Sequence, residues 1–425
     1  MTKRLLAVCI AALFIVASLP ASALRGTIPT RYATPAGYND HDYQKLIAFL
    51  EKTDADGVKN GTKIISSYDP ADPAMWWSSN TYTGFKWKQI GDSKRIYMII
   101  MKQKGVVGPL DLSGCTELNR IECSHNPLLS AIDVSGDAAL EEFNCQDTGI
   151  TAIDLTDNTN LMYFYCGDNQ LTELDVSNNT KLYWIFCENN ALTSLDVSKN
   201  VMLASLDCSG NALNSIDISN NTAVWDLDCS DNQLTSLDLS KNTELKYVKC
   251  MDNSLTKLDL TNSPKLKDLD CKGNRITEIT LAEGTALSFV SVKAANGGTV
   301  AFYYTINDQT WDYDSFVTAV PDDGNGFLGW YSDSGELLSD SATLACASAN
   351  EIGEQRIIAR FSILGDVDGN GAVEASDALL ALRMAMSIID TPADISLIDV
   401  DKNGKVEASD ALLILRYAMG IIDHF

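Results

Sequence analysis

Two twelve-residue stretches near the C-terminus hold the side chains best arranged for chemistry. The first is Asp366-Val-Asp-Gly-Asn-Gly-Ala-Val-Glu-Ala-Ser-Asp377. The second, Asp399-Val-Asp-Lys-Asn-Gly-Lys-Val-Glu-Ala-Ser-Asp410, repeats it at an offset of thirty-three. The chemistry this pattern fits is oxygen coordination of a hard cation. Calcium takes roughly six to eight oxygens at about 2.3–2.6 Å. Asp366, Asp368 and Asn370 supply alternate side chains at loop positions 1, 3 and 5, Gly371 permits the sharp turn, and the carbonyl of Ala372 contributes at position 7. Glu374 stands at position 9, to coordinate directly or through water, and Asp377 closes the shell at position 12. In the second loop the same places hold Asp399, Asp401, Asn403, Gly404, the Lys405 carbonyl, Glu407 and Asp410. The expectation is two Ca2+. One Asp-x-Asp-x-Asn-Gly could arise by chance, but two complete loops, each followed by an apolar helical stretch, could not plausibly do so.

An EF-hand would place a helix before each loop and usually a Glu at position 12. Here Phe361-Ser-Ile-Leu-Gly offers no incoming helix, and position 12 is Asp. With these departures, residues 364–425 resemble the type I dockerin over their whole length. That family docks extracellular proteins onto cohesin modules of a scaffoldin and so builds cellulosome-type complexes. The resemblance implies an α-helical calcium-binding module with a cohesin as its partner. Asp366–Ile389 and Asp399–Ile422 match at nineteen of twenty-four positions, which implies a pseudo-twofold docking surface. By position, the resemblance places the cohesin contact on Ala375, Ser376, Leu379, Leu380 and Arg383, mirrored by Ala408, Ser409, Leu412, Leu413 and Arg416. The family often has Ser-Thr where this chain has Ala-Ser, a difference that bears on cohesin specificity rather than on docking.

The elements that carry this module lie upstream. Cys145, Cys166, Cys187, Cys208, Cys229, Cys250 and Cys271 recur every twenty-one residues, with Cys123 twenty-two before them and Val292 in the next place after. A fixed period of this size marks a solenoid. The unit, seen in Leu203-Ala-Ser-Leu-Asp-Cys208-Ser-Gly-Asn211-Ala-Leu213-Asn-Ser-Ile216-Asp217-Ile218-Ser219, resembles the leucine-rich repeat with Cys at one core position. The fold class expected is therefore multidomain, built on a leucine-rich-repeat solenoid with a parallel β-sheet over residues 95–293, about nine turns. A helical N-terminal cap is expected at 24–94, where Tyr43, Leu46, Ile47 and Leu50 fall at helical spacing. A small β-rich unit is expected at 294–363. There Gly326-Phe-Leu-Gly-Trp330-Tyr331 and Ile357-Ile-Ala-Arg-Phe361 resemble β-grasp-like repeats of bacterial surface proteins, and Trp330 reads as core.

The repeat assigns most of its polar residues to structure. The ladder cysteines stack in parallel on strands about 4.8 Å apart, without the converging Cβ vectors a disulfide needs, so free buried thiols are expected. Asn126, Asn169, Asn190, Asn211, Asn232, Asn253 and Asn274 follow the cysteines by three, with Thr148 breaking the row. They should bond backbone groups of adjacent coils. Asp133, Asp154, Asp175, Asp196, Asp217, Asp238 and Asp259 should serve the second bend. Residues flanking the buried positions of each strand face outward. They place Tyr163, Tyr165, Trp184 and Phe186 on two adjacent strands, with Tyr183 and Trp225 just outside and Asp207, Asp226 and Asp228 beyond. Cross-strand aromatic pairs stabilise a sheet. An exposed apolar patch with a polar rim is equally a binding surface, for a protein or for a polysaccharide.

The net charge of -25 argues against nucleic acid, since no basic patch could neutralise phosphates. The histidines are His41, His125 and His424, dispersed, and no nucleophile elbow, zinc motif or phosphate loop occurs, so no enzyme is expected. Lys3, Arg4, the apolar run to Leu19 and Ala21-Ser22-Ala23 read as a signal peptide over 1–23, with no membrane insertion of the mature chain. The combined expectation is a secreted, extracellular, noncatalytic component held to the cell surface through a scaffoldin, its repeat face binding another protein. The alternatives are a polysaccharide-targeting subunit in plant fibre degradation and an adhesin or inhibitor.

Overall fold

The computed structural model describes residues 32–287, 289, 291–306, 313–346, 356–392 and 395–425. The signal peptide expected over 1–23 lies outside the described residues. A parallel β-sheet runs from Ser93–Ile100 through Arg120–Glu122, Glu142–Asn144, Tyr163–Tyr165, Trp184–Phe186, Ser205–Asp207, Asp226–Asp228 and Tyr247–Lys249 to Asp268–Asp270. Each residue pairs with its equivalent one repeat on: Tyr163 with Trp184, Phe164 with Ile185, Tyr165 with Phe186. The middle residue of each strand is buried, as Phe143, Phe164 and Ile185 show, and its neighbours look out. The solenoid follows directly from this exact repetition of short strands.

All ten cysteines of the described residues are buried and unpaired with one another. Burial pushes their thiols well above the ordinary range, so they pack as small hydrophobes, as the stacking argument expects. The Cys+3 asparagines tie consecutive turns. Asn232 donates through Nδ2 to the carbonyls of Cys208, Cys229 and Ser230 at 3.0–3.2 Å and accepts the Leu213 N–H at 2.9 Å. Where Thr148 breaks the row, its hydroxyl reaches the Cys145 carbonyl at 2.9 Å. At the second bend, each aspartate accepts the N–H two residues on, as Asp175 does from Ser177 at 2.9 Å.

Two further rows were not read from the sequence. Asn158, Asn179, Asn200, Asn221 and Asn242 are fully buried at the same period. Asn200 donates to the carbonyls of Val176 and Asn179 at 3.0 and 2.9 Å. The residue two places after each ladder cysteine adopts positive φ, and these places hold His125, Asp147, Asp168, Asn189, Gly210, Asp231, Asp252 and Gly273. Asn, Asp and Gly tolerate that region best.

Both ends of the solenoid are covered. The helix Asp40–Leu50, capped by Asn39, buries the expected Tyr43, Leu46, Ile47 and Leu50. Trp76 is fully buried and stacks on Tyr43 with centroids 5.7 Å apart. Buried Asp42 accepts from Arg95 at 2.7 and 2.9 Å and from the Ile96 N–H at 2.9 Å, pinning the helix to the strand Ser93–Ile100.

At the other end the expected rung at Leu287–Val292 does not join the ladder. Ser291–Ala294 instead pairs antiparallel with Glu278–Leu281 and parallel with Arg356–Ser362. The place three beyond Val292 holds Ala295 where other turns have Asn, so no side-chain amide closes another coil. The edge is taken by Gly298–Ile306, whose Phe302 accepts the Cys271 N–H at 3.0 Å and donates its own N–H to Cys271 Sγ at 3.2 Å. The solenoid and the 294–363 unit therefore share a sheet, and the division expected at 293 falls within it. Trp330 is fully buried in the common core, as expected.

Asp137 stands one turn before Asn158 in the second asparagine row. It is fully buried, and neither carboxyl oxygen has a hydrogen-bond partner among the described residues. Burial, with Asp42 and Asp133 adding repulsion, pushes its carboxyl up to about 8. The folded state therefore holds a proton that the unfolded chain releases near the ordinary carboxyl value. Its contribution is intact below about pH 4 and is lost progressively as pH rises through about 8. We predict that Asp137→Asn, which restores the amide found in the next turns, raises stability at pH 7 by about 2 kcal/mol and flattens this decline. Urea unfolding across that pH range checks it, and an unchanged slope would refute it.

Candidate functional site

The C-terminal module is a pair of loops, each leading into one helix, Ala375–Ala385 and Ala408–Ala418. Apolar residues at helical spacing turn Ala378, Ala381, Ala411 and Ile414 inward onto Leu364, Ile398 and Val400. Each loop is wound about its own carboxylates. Asp366 accepts the N–H groups of Gly369 at 2.9 Å, Asn370 at 3.1 Å and Gly371 at 2.8 Å. Asp377, in the first turn of its helix, reaches back to accept from Val367 at 2.8 Å, Asp368 at 3.0 Å and Glu374 at 2.8 Å. Asp399 and Asp410 repeat the arrangement through Asn403, Gly404, Asp401 and Glu407.

The result is two gatherings, Asp366–Asp368–Asp377 and Asp399–Asp401–Asp410, each with carboxylate oxygens within 4.8 Å of one another. Asp377 and Asp410 are fully buried, and the first loop contains no basic residue. Three carboxylates packed so closely repel strongly unless a cation sits among them. The donor set, hard anionic oxygens with carbonyls on a Gly-containing turn, fits calcium. Asn370 and Asn403 accept the N–H of Ala372 and Lys405 at 3.0 Å, which orients the position-7 carbonyls' residues beside the gathering. Glu374 and Glu407 do not belong to these gatherings. They are exposed and stand at the N-caps of the two helices.

Of the docking residues implied by the resemblance, Ala375, Ser376, Leu379 and Arg383 are exposed, as are Ala408, Ser409, Leu412 and Arg416. Leu380 and Leu413 are half-buried, and Leu413 packs against the module core. Between the helices runs an apolar groove that the sequence reading did not single out. Ala375, Ala378, Leu379 and Leu382 line one wall and their counterparts Ala408, Ala411, Leu412 and Leu415 the other. The thirty-three-residue offset, applied to whole helix faces rather than to single positions, would have found it.

On the outward face of the long parallel sheet, Tyr163 and Trp184 meet edge to face at 5.3 Å, as do Tyr165 and Phe186. Trp184 stacks on Phe186 at 6.2 Å and on Tyr183 at 6.2 Å. The four expected rings, each partly exposed, thus form one patch with Tyr183. Trp225 stands apart, paired with Tyr247 and covered by the Lys246 ammonium.

The dockerin type I domain family matches residues 364–418. No curated protein matches the chain. Among solved structures, the functional domain of InlJ from Listeria monocytogenes, described as including a cysteine ladder, is 30% identical over 43% of this chain and 45% of its own, with a TM-score of 0.40. The chain thus spans less than half the length of that structure. An internalin C2 of Listeria monocytogenes is 17% identical over 40% of this chain and 88% of its own, with a TM-score of 0.30. The PEPR1–AtPEP1 structure is 19% identical over 56% and 35%, with a TM-score of 0.43.

The loop geometry makes a calcium prediction. Chelation should unfold or loosen the two C-terminal helices and lower their stability by about 2.7 kcal/mol for each of the two sites relative to free calcium at about 100 times Kd. Asp366→Ala and Asp399→Ala should each remove one binding event in calorimetry, whereas Glu374→Ala should remove none. Equal loss with Glu374→Ala would place position 9 in the shell after all.

Proposed function

We propose that this chain, a leucine-rich-repeat solenoid bearing a C-terminal type I dockerin domain, is a noncatalytic secreted component of a cellulosome-type complex. The dockerin binds two calcium ions and docks to a scaffoldin cohesin; the concave repeat face recruits another protein. The observation that carries this reading is the doubled loop and helix, with its carboxylate gatherings and its mirrored exposed faces, over the residues that match the dockerin family. Asp366, Asp368 and Asp377, with Asp399, Asp401 and Asp410, hold the metal, joined by the Ala372 and Lys405 carbonyls. Bound calcium supplies the counter-charge that fixes each loop to its helix. Ser376, Leu379 and Arg383, or equally Ser409, Leu412 and Arg416, then present the cohesin-binding face.

Dockerin and leucine-rich-repeat modules typically bind rather than catalyse, which supports a recruiting role. Among the described residues no helix is long and apolar enough to cross a membrane. Attachment in this reading comes from the scaffoldin.

Equivalent halves make a quantitative prediction. Ser376→Asp or Ser409→Asp alone should weaken calcium-dependent cohesin binding by only about twofold, the loss of one of two equal modes. The double change should weaken it by more than about 100-fold, because every mode then buries an unpaired charge. Surface plasmon resonance with a matched cohesin reads both; abolition by either single change would show that only one mode exists.

A further inference from the structure

The open part of the concave face carries acids beside its rings. Phe186 pairs in register with Asp207, and Asp207 with Asp228. Asp226 lies one strand from Ser205, whose hydroxyl it accepts at 3.0 Å. Glu188 extends from the end of the Trp184–Phe186 strand across Gly167, where a Cβ would stand 2.2 Å from its Oε1. Among the described residues Lys249 is the base that pairs with this group, 3.4 Å from Asp228. Glu188 Oε1 accepts from Gln146 at 2.8 Å. Its Oε2 is closed off from solvent without a partner among the described residues, and so is Nε1 of Trp184.

These carboxylates sit in a poorly solvated place with too little positive charge around them. Burial, then repulsion from Asp207, Asp168 and Asp228, pushes Glu188 up to about 7. Burial also raises Asp207, with Asp228 adding to it, and raises Asp226. A neutral polysaccharide would stack on the rings but would desolvate the acids further and leave their repulsion in place. A lysine- or arginine-bearing polypeptide answers both features at once. Its aliphatic stems and cationic heads suit aromatic faces, and its heads form charge-assisted bonds with carboxylates.

We propose that the concave face from Tyr163 to Asp228 docks an extended basic segment of a partner protein, with its cationic heads at Glu188, Asp207 and Asp228 and its stems on Trp184 and Phe186. The proposal deepens the protein-recruiting reading of this face and rests on it.

The test uses the full chain with calcium and a fluorescein-labelled (Lys-Ser)4 peptide, read by anisotropy at low salt, with (Glu-Ser)4 and cellohexaose as comparison probes. The lysine peptide should bind and the other two should not. Glu188→Gln with Asp207→Asn should weaken it about tenfold or more. Asp217→Asn with Asp238→Asn removes the same charge at the second bends, where these residues accept from Ser219 and Ser240, and should change little. Affinity should rise from about pH 5.5 to about pH 8, because a cation favours ionised Glu188, and Glu188→Gln should reduce that rise. Equal weakening by the two pairs would reduce the effect to general attraction by an acidic protein and overturn the proposal. Absence of peptide binding, or cellohexaose binding that depends on Trp184, would overturn it too. Capture of culture-supernatant proteins by wild type and by a Tyr163→Ala, Tyr165→Ala, Trp184→Ala, Phe186→Ala variant separates the two levels. Capture lost in that variant without lysine-peptide binding leaves the protein-recruiting reading standing; no capture difference removes that reading as well. Cohesin binding in the same samples reports on docking independently.

Discussion

The backbone bends sharply twice in every coil of the solenoid, and at each bend its buried polar groups must find partners within the protein. That accounting governs the whole repeat. Sheet pairing satisfies the strands, but the bends have no ladder to join. Side-chain amides take over: the row of Asn232 donates into its own coil and the coil before it, and the row of Asn200 donates into the coil before it. The twenty-one-residue period is therefore set as much by these amides as by the leucines and cysteines packed between them. Past Asn274, the last amide of its row, Ala295 takes the next place, and the next strand turns into another sheet.

The same accounting explains most of the acidity. Asp168, Asp231 and Asp252 occupy backbone positions of positive φ, Asp175 and its equivalents close the second bend, and Asp366 and Asp377 organise a loop. Each of these carboxylates has a local conformational reason for its place. Glu188 is different: it looks outward from the sheet and its Oε2 meets no partner among the described residues, while its neighbours Asp207 and Asp226 accept from Ser209 and Ser205.

Much of this was legible in the sequence because the constraints repeat. A cysteine or asparagine that returns every twenty-one residues cannot be accidental, and the doubled loops announce themselves in the same way. What was missed also has a physical cause. The motif as read ran from Leu203 to Ser219, so Asn200 and its row fell just before it, although they obey the same period. Val292 satisfied the apolar pattern of a rung, yet a rung also needs its bend closed, and the pattern of buried residues does not reveal that. Position 9 of each loop was expected to coordinate directly or through water, and Glu374 and Glu407 stand exposed at the helix N-caps, outside the three-carboxylate gatherings. Spacing places a residue on the loop but does not set the direction of its side chain.

The junction between the β-rich unit and the last module is short and bonded. Asn325 accepts the Leu364 N–H at 2.9 Å and donates to the Gly297 carbonyl at 3.0 Å, while Asn296 donates to the Gly371 carbonyl at 3.1 Å, inside the first acidic loop. The strand ending at Ser362 is followed almost at once by Asp366. There is no length of chain here to behave as a polymer tether. Whatever holds the two C-terminal helices consequently also sets the direction in which the long concave sheet points. Gripped by one helix or the other, the solenoid would swing between two fixed bearings instead of sweeping out a sphere, and the local concentration of its cargo would be fixed by that geometry rather than by chain entropy.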